Sequence, residues 1–85
     1  MEKRIAVMSI IVENPDSAST LNNILHEASN FIIGRMGIPY REKNISVISV
    51  VVDAPQNEIS SLSGKIGNLD GVTVKTAYSN VISHE

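Results

Sequence analysis

Ile45-Ser46-Val47-Ile48-Ser49-Val50-Val51-Val52, closed by Asp53-Ala54-Pro55, is the stretch on which the fold turns. Its β-branched density, its single-strand length and its abrupt polar and proline stop predict a β-strand. It lies at mid-chain between two helical patterns, so it is expected to be a central strand that the other elements pair with or pack on.

Upstream, Ile5 to Val12 is a second nearly continuous apolar run of strand length. Glu13-Asn14-Pro15-Asp16-Ser17 stops it and offers helix-start chemistry, with Asn14 or Ser17 as N-cap and Pro15 at a first helical position. Ala18, Leu21, Ile24, Leu25 and Ala28 then recur at three- and four-residue spacing, which predicts an amphipathic helix ending near Ser29 or Asn30. Phe31 to Gly37 reads as a strand, because Gly34 and Gly37 disfavour a helix interior and Ile32-Ile33 suits a strand. Ile38 to Asn44, with Pro39 and a charge run, reads as the connection back to the central strand.

Downstream, Pro55 suits a first helical turn, with Asp53 or Asn57 as its cap, and Ile59, Leu62, Ile66 and Leu69 make a narrow apolar stripe on a second helix. Asp70-Gly71 signals a turn, Val72 to Tyr78 a last strand, and Ser79 to Glu85 a loosely held tail. The order strand, helix, strand, strand, helix, strand is the split βαβ pattern. The expected fold is therefore α+β and ferredoxin-like (βαββαβ), a two-layer sandwich of a four-stranded antiparallel sheet with two helices on one face. The first and third strands should lie in the middle. The expected domain spans 1–79, with a flexible tail over 80–85.

The chain has 85 residues, 42% of them apolar and 19% charged, which suits one globular domain. Cysteine is absent, so no disulfide, thiolate metal site or cysteine nucleophile is available. A net charge of -2 lacks the positive field of an autonomous nucleic-acid-binding domain. No segment has the length of a membrane span and no cleavage site follows the N-terminus, so the expectation is a cytoplasmic, unprocessed chain without membrane contact.

A two-layer fold with one wet face should alternate apolar and polar residues in its central strands, and these do not. Ile5, Val7 and Ile11 oppose Ala6, Met8, Ile10 and Val12; Val47 and Val51 oppose Ile48, Val50 and Val52. Two helices cover one face only. The other is expected to be buried against another copy, through that face or an edge strand, with Ile5, Val7, Val47 and Val51 as interface residues of a homo-oligomer, a dimer or tetramer.

No catalytic set emerges. His26 and His84 have no metal-binding partner at a spacing such as i, i+4, so no metal or other cofactor is expected. Asp53 reads as a cap or turn residue, with no second carboxylate or base placed beside it. Arg35, Arg41 and Lys43 cluster around Gly37-Ile38-Pro39-Tyr40 and offer a place for an anionic ligand or an acidic partner surface; Glu42 partly offsets them.

Gly34-Arg35-Met36-Gly37-Ile38-Pro39-Tyr40-Arg41-Glu42, the strand end Val51-Val52-Asp53, Glu58-Ile59, and Gly64-Lys65-Ile66-Gly67-Asn68-Leu69 with Gly71-Val72 carry a family likeness. From about Lys3 to Tyr78 the sequence resembles the small iron-only hydrogenase system regulators. That resemblance implies an ACT-like fold related to the C-terminal sensor domain of nickel-responsive repressors, and a regulatory place near hydrogenase maturation genes. Two departures limit the likeness. Asp16 stands after Pro15, where amino-acid-binding ACT domains typically have glycine, and the histidine and cysteine set of nickel sensors is missing. The expectation is a non-enzymatic regulatory module that self-associates and acts through a small ligand or protein partner. Its expected binding residues are Asn14, Asp16, Ser17, Arg35, Tyr40 and Arg41. The alternatives are an interaction module without ligand, and a direct DNA-binding regulator.

Overall fold

The computed structural model describes residues 2–84, with side-chain placement through Val81. Strand β1 (Glu2–Val12) leads through a 3-10 turn (Pro15–Ser17) into helix α1 (Ala18–Glu27); β2 (Ile32–Tyr40), β3 (Ile45–Ala54), α2 (Gln56–Gly67) and β4 (Val72–His84) follow. The sheet order is β2-β3-β1-β4 with every pairing antiparallel. The fold is thus α+β and ferredoxin-like, with β1 and β3 in the middle.

Strand alternation assigns the faces. Ala6, Met8, Ile10 and Val12 of β1 stand beside Val52, Val50, Ile48 and Ser46 of β3. The apolar members of this set are buried together with Leu21 and Leu25 of α1 and Ile59, Leu62 and Ile66 of α2, and they form the core. Both helices therefore lie on this inner face. The stripe at Ile59, Leu62 and Ile66 is what makes α2 amphipathic, since its intervening residues are largely polar and exposed.

Several boundaries differ from the sequence expectation, chiefly at the ends of β2, β3 and β4. β2 runs on through Ile38-Pro39-Tyr40, because an edge strand tolerates a proline whose missing N–H costs no ladder bond. The reversal into β3 is a short turn, Arg41–Lys43, closed by Asn44 at φ 56°, a left-handed conformation that asparagine accepts more readily than most residues. Asp53 is a strand residue paired with Ile5, not a cap; α2 starts after Pro55 without a side-chain cap. Where a loose tail was expected from Ser79, β4 continues to His84, with Glu2 opposite His84 after an irregularity between Arg4 and Ala6. Glu85 lies outside the described residues.

Candidate functional site

The connection from β1 to α1 is tied to the turn before β4. Asn14 Oδ1 accepts from the Asp16 N–H at 3.0 Å, and Asn14 Nδ2 donates to the Asp70 carboxylate at 2.7 Å. Ser17, which is buried, donates its hydroxyl to the Asp70 carbonyl at 2.6 Å, and the Glu13 N–H donates to the Gly71 carbonyl at 2.7 Å. Asn14 caps the 3-10 turn and Pro15 occupies its first turn, so two of the expected ligand residues, Asn14 and Ser17, are engaged in holding one loop against another. Asp16 is exposed beside them.

Arg35 and Tyr40 do not converge. Arg35 pairs with Val50 on the helix face of the sheet and Tyr40 with Ile45 on the opposite face. The Arg35 guanidinium donates to the Asn22 amide oxygen of α1 at 3.1 Å, and the Tyr40 hydroxyl donates to the Glu42 carboxylate at 3.0 Å. Arg41 starts the β2–β3 turn, where its carbonyl accepts from the Asn44 N–H at 3.2 Å; its guanidinium has no hydrogen-bond partner among the described residues.

Between α1 and β2 runs a groove of about 260 Å³ lined by Leu21, Asn22, Arg35, Ile38, Pro39 and Ile48, among others. A second hollow of about 140 Å³ adjoins it, reaching Pro15, Tyr40, Arg41 and Asn44, and the two share Val12, Ala18, Pro39 and Ser46. Arg35 and Arg41 thus stand toward opposite ends of one depression with an apolar floor. The Arg35 guanidinium contacts a neutral amide, and at the other end the Tyr40 hydroxyl holds the Glu42 carboxylate beside Arg41, so positive and negative groups both border the depression. Leu21, Asn22 and Pro39 were missed as lining residues, because only the pairing of β2 beside α1 brings them together.

The open face of the sheet is the second feature. Ile5, Val7 and Ile11 of β1, Ile45, Val47 and Val51 of β3, and Met36, Ile38 and Tyr40 of β2 share it. Ile5, Ile11, Met36, Ile38, Tyr40 and Val47 are between 41% and 62% exposed, too much apolar surface in one place to be scattered chance. The four residues expected at an oligomer interface, Ile5, Val7, Val47 and Val51, all lie on this face. Asp53 shares it, and one of its carboxylate oxygens is buried without a hydrogen-bond partner among the described residues.

His26 is an exposed residue in the last turn of α1, and His84 ends β4, its side chain outside those described. Among the described residues no group of three or more His, Asp or Glu side chains is placed to hold a metal ion, and no helix is long and apolar enough to cross a membrane.

Comparison with known proteins agrees with the fold. No curated protein matches the chain. Among solved structures, the uncharacterized protein TM1266 from Thermotoga maritima is 36% identical, with a TM-score of 0.86 over 89% of this chain and 96% of that one. Two more distant structures share the fold alone. A formyltetrahydrofolate deformylase from Pseudomonas putida KT2440 has a TM-score of 0.67 at 11% identity, covering 91% of this chain but 29% of the deformylase. The apo form of CPII from Thiomonas intermedia K12, a nitrogen regulatory PII-like protein, has 0.59 at 12% identity, covering 99% and 98%. The family model TM1266-like, described as "Iron-only hydrogenase system regulator, putative", matches residues 4–76. With the family model spanning most of the chain and a relative at 36% identity over 89% of it, the chain belongs to the TM1266-like family of iron-only hydrogenase system regulators.

Proposed function

We propose that this chain is a non-enzymatic regulatory module of an iron-only hydrogenase system, which self-associates and acts in the cytoplasm by binding a small ligand or a partner protein. The observation that carries the reading is the sheet with two apolar faces, one filled by α1 and α2 and one left open, since such a face suits assembly and not solvent. The groove between α1 and β2 supplies the ligand side of the reading. Arg35 and Arg41 offer bidentate donors at either end, and Pro39 and Ile48 offer apolar contact between them. The absence of cysteine accords with a cytoplasmic place.

Native mass spectrometry of gently purified protein tests the ligand side. A retained small molecule is expected at up to one per copy, lost when Arg35 and Arg41 are both replaced by alanine. The same retained mass in the doubly substituted protein would remove the groove from the reading.

A further inference from the structure

We infer that the open face of the sheet closes on the same face of a second copy of this chain, with Ser9 and Ser49 at the centre of the contact. The inference rests on the self-association reading and adds to it the two-fold axis and the residues that stand at it. Row by row, the register lays the face out. Ile38, Val47, Ile11 and Thr73 form one row across β2, β3, β1 and β4; Met36, Ser49, Ser9 and Lys75 form the next; Gly34, Val51, Val7 and Ala77 form the third. In these three rows the large exposed apolar side chains lie on β2, β3 and β1, so this part of the face is centred on β3, with Thr73 and Lys75 of β4 as a polar rim; Val81, 71% exposed, lies on β4 beyond the irregularity in its pairing with β1.

The size of the patch selects the occupant. Six large residues at the observed exposures present on the order of 600 Å² of surface, most of it apolar, against the ~800 Å² per partner of a standard interface. Such a patch meets its own copy about a two-fold axis, because in an isologous contact one surface serves both partners. The charge on the face fits this choice. Lys75 and Asp53 are the charged residues facing outward in the strand rows from Ile5 to Ile11, one of each sign, so two copies do not repel and no strongly charged partner is favoured.

The serines set the position. Ser9 and Ser49 are direct cross-strand neighbours in the middle of an apolar face, and neither hydroxyl has a protein partner among the described residues. Buried against an apolar surface of another protein, both hydroxyls would be left unsatisfied, which is costly. Placed at the two-fold axis, they meet the serines of the second copy. Sheets packed about 10 Å apart leave space between such short side chains for ordered water, and four hydroxyls around that space supply its hydrogen bonds. A polar centre of this kind also discriminates against slipped registers, as a single buried asparagine does in a coiled coil.

Because the chain lacks cysteine, single-cysteine reporters are unambiguous. Ser49→Cys, Ser60→Cys on α2 and Asn80→Cys on the β4 edge would each be treated with a short bismaleimide and run on denaturing gels, with native mass spectrometry of the wild type alongside. Ser49→Cys is expected to give mostly covalent dimer and the other two to give little. Val47→Glu is expected to weaken association by about a hundred-fold, since each copy would bring an unpaired charge into the contact. Where circular dichroism shows that Val47→Glu is not folded, the Ser49→Cys reporter decides alone. Linking at Asn80 in place of Ser49, or a folded Val47→Glu variant that associates as the wild type does, would overturn the face while leaving self-association standing. A single-copy wild-type mass would remove self-association itself.

Discussion

Replacing Ile10 with alanine is expected to destabilise the protein by about 3–4 kcal/mol and to lower Tm by roughly 15–25 °C. Ile10 sits in the middle of β1, opposite Ile48 of β3 and Val74 of β4, and is 0% exposed. It faces the core that Leu21, Leu25, Ile59 and Ile66 fill from the helices. Truncation removes three carbons from a site fixed on both sides by strand pairing, so the walls have little room to collapse. The loss is a large share of the total, because a domain of this size is held by about 5–15 kcal/mol. Thermal and urea unfolding of the variant measure it. The same truncation at Ile11, the next residue and one that faces the open side, is expected to cost about 1 kcal/mol or less in dilute single-copy conditions. A Tm change at Ile10 no larger than at Ile11 would mean that the assignment of faces is wrong.

Gly71→Ala is expected to cost about 2–4 kcal/mol, although the position is exposed. Gly71 has φ +68°, and a Cβ built there meets Asn14 Cβ at 2.5 Å and Asn14 N at 2.9 Å. The left-handed backbone alone costs an alanine about 1–2 kcal/mol. Relief of the clash requires the loops to part, which breaks the Glu13 N–H to Gly71 carbonyl bond and displaces Asn14 and Ser17 from Asp70. Those bonds close the β1–α1 connection that borders the depression at Pro15. Urea unfolding of Gly71→Ala, Asn14→Gly and the double variant checks the mechanism. Removing the Asn14 side chain takes away one of the two clashes, so the double variant is expected to lose less than the sum of the single losses. Strict additivity would show that the Asn14 side chain is not the obstacle.

The fold was legible where burial dictates composition. Ile5–Val12 and Ile45–Val52 carry β-branched residues on both faces, and Leu21 with Leu25 and Ile59 with Leu62 and Ile66 repeat at helical spacing, so the order of elements and the helix-covered face followed from local pattern. The edges were less legible, because an edge strand needs no apolar pattern. Pro39 concealed the end of β2, and Ser79, Asn80 and Val81 concealed the continuation of β4 past the irregularity in its pairing with β1.

For the same reason the candidate site was read only in part. Residues five apart in one uninterrupted strand face opposite ways, so Arg35 and Tyr40 separate as soon as β2 is known to reach Tyr40. Grouping them depended on ending the strand at Gly37. The hydrogen bonds of Asn14 and Ser17 to Asp70 span 56 and 53 positions of sequence, a distance at which composition and spacing carry no signal. Arg41 and Pro15, by contrast, do border one hollow.

Sedimentation velocity of the wild-type protein across a dilution series around 10 µM tests the central claim most directly, that a chain with a second, uncovered apolar sheet face associates with further copies. At 9.2 kDa per chain, the account predicts a boundary at the mass of two or more copies, shifting toward the single chain only on strong dilution. A boundary that stays at 9.2 kDa throughout, from protein whose circular dichroism shows it folded, would contradict it.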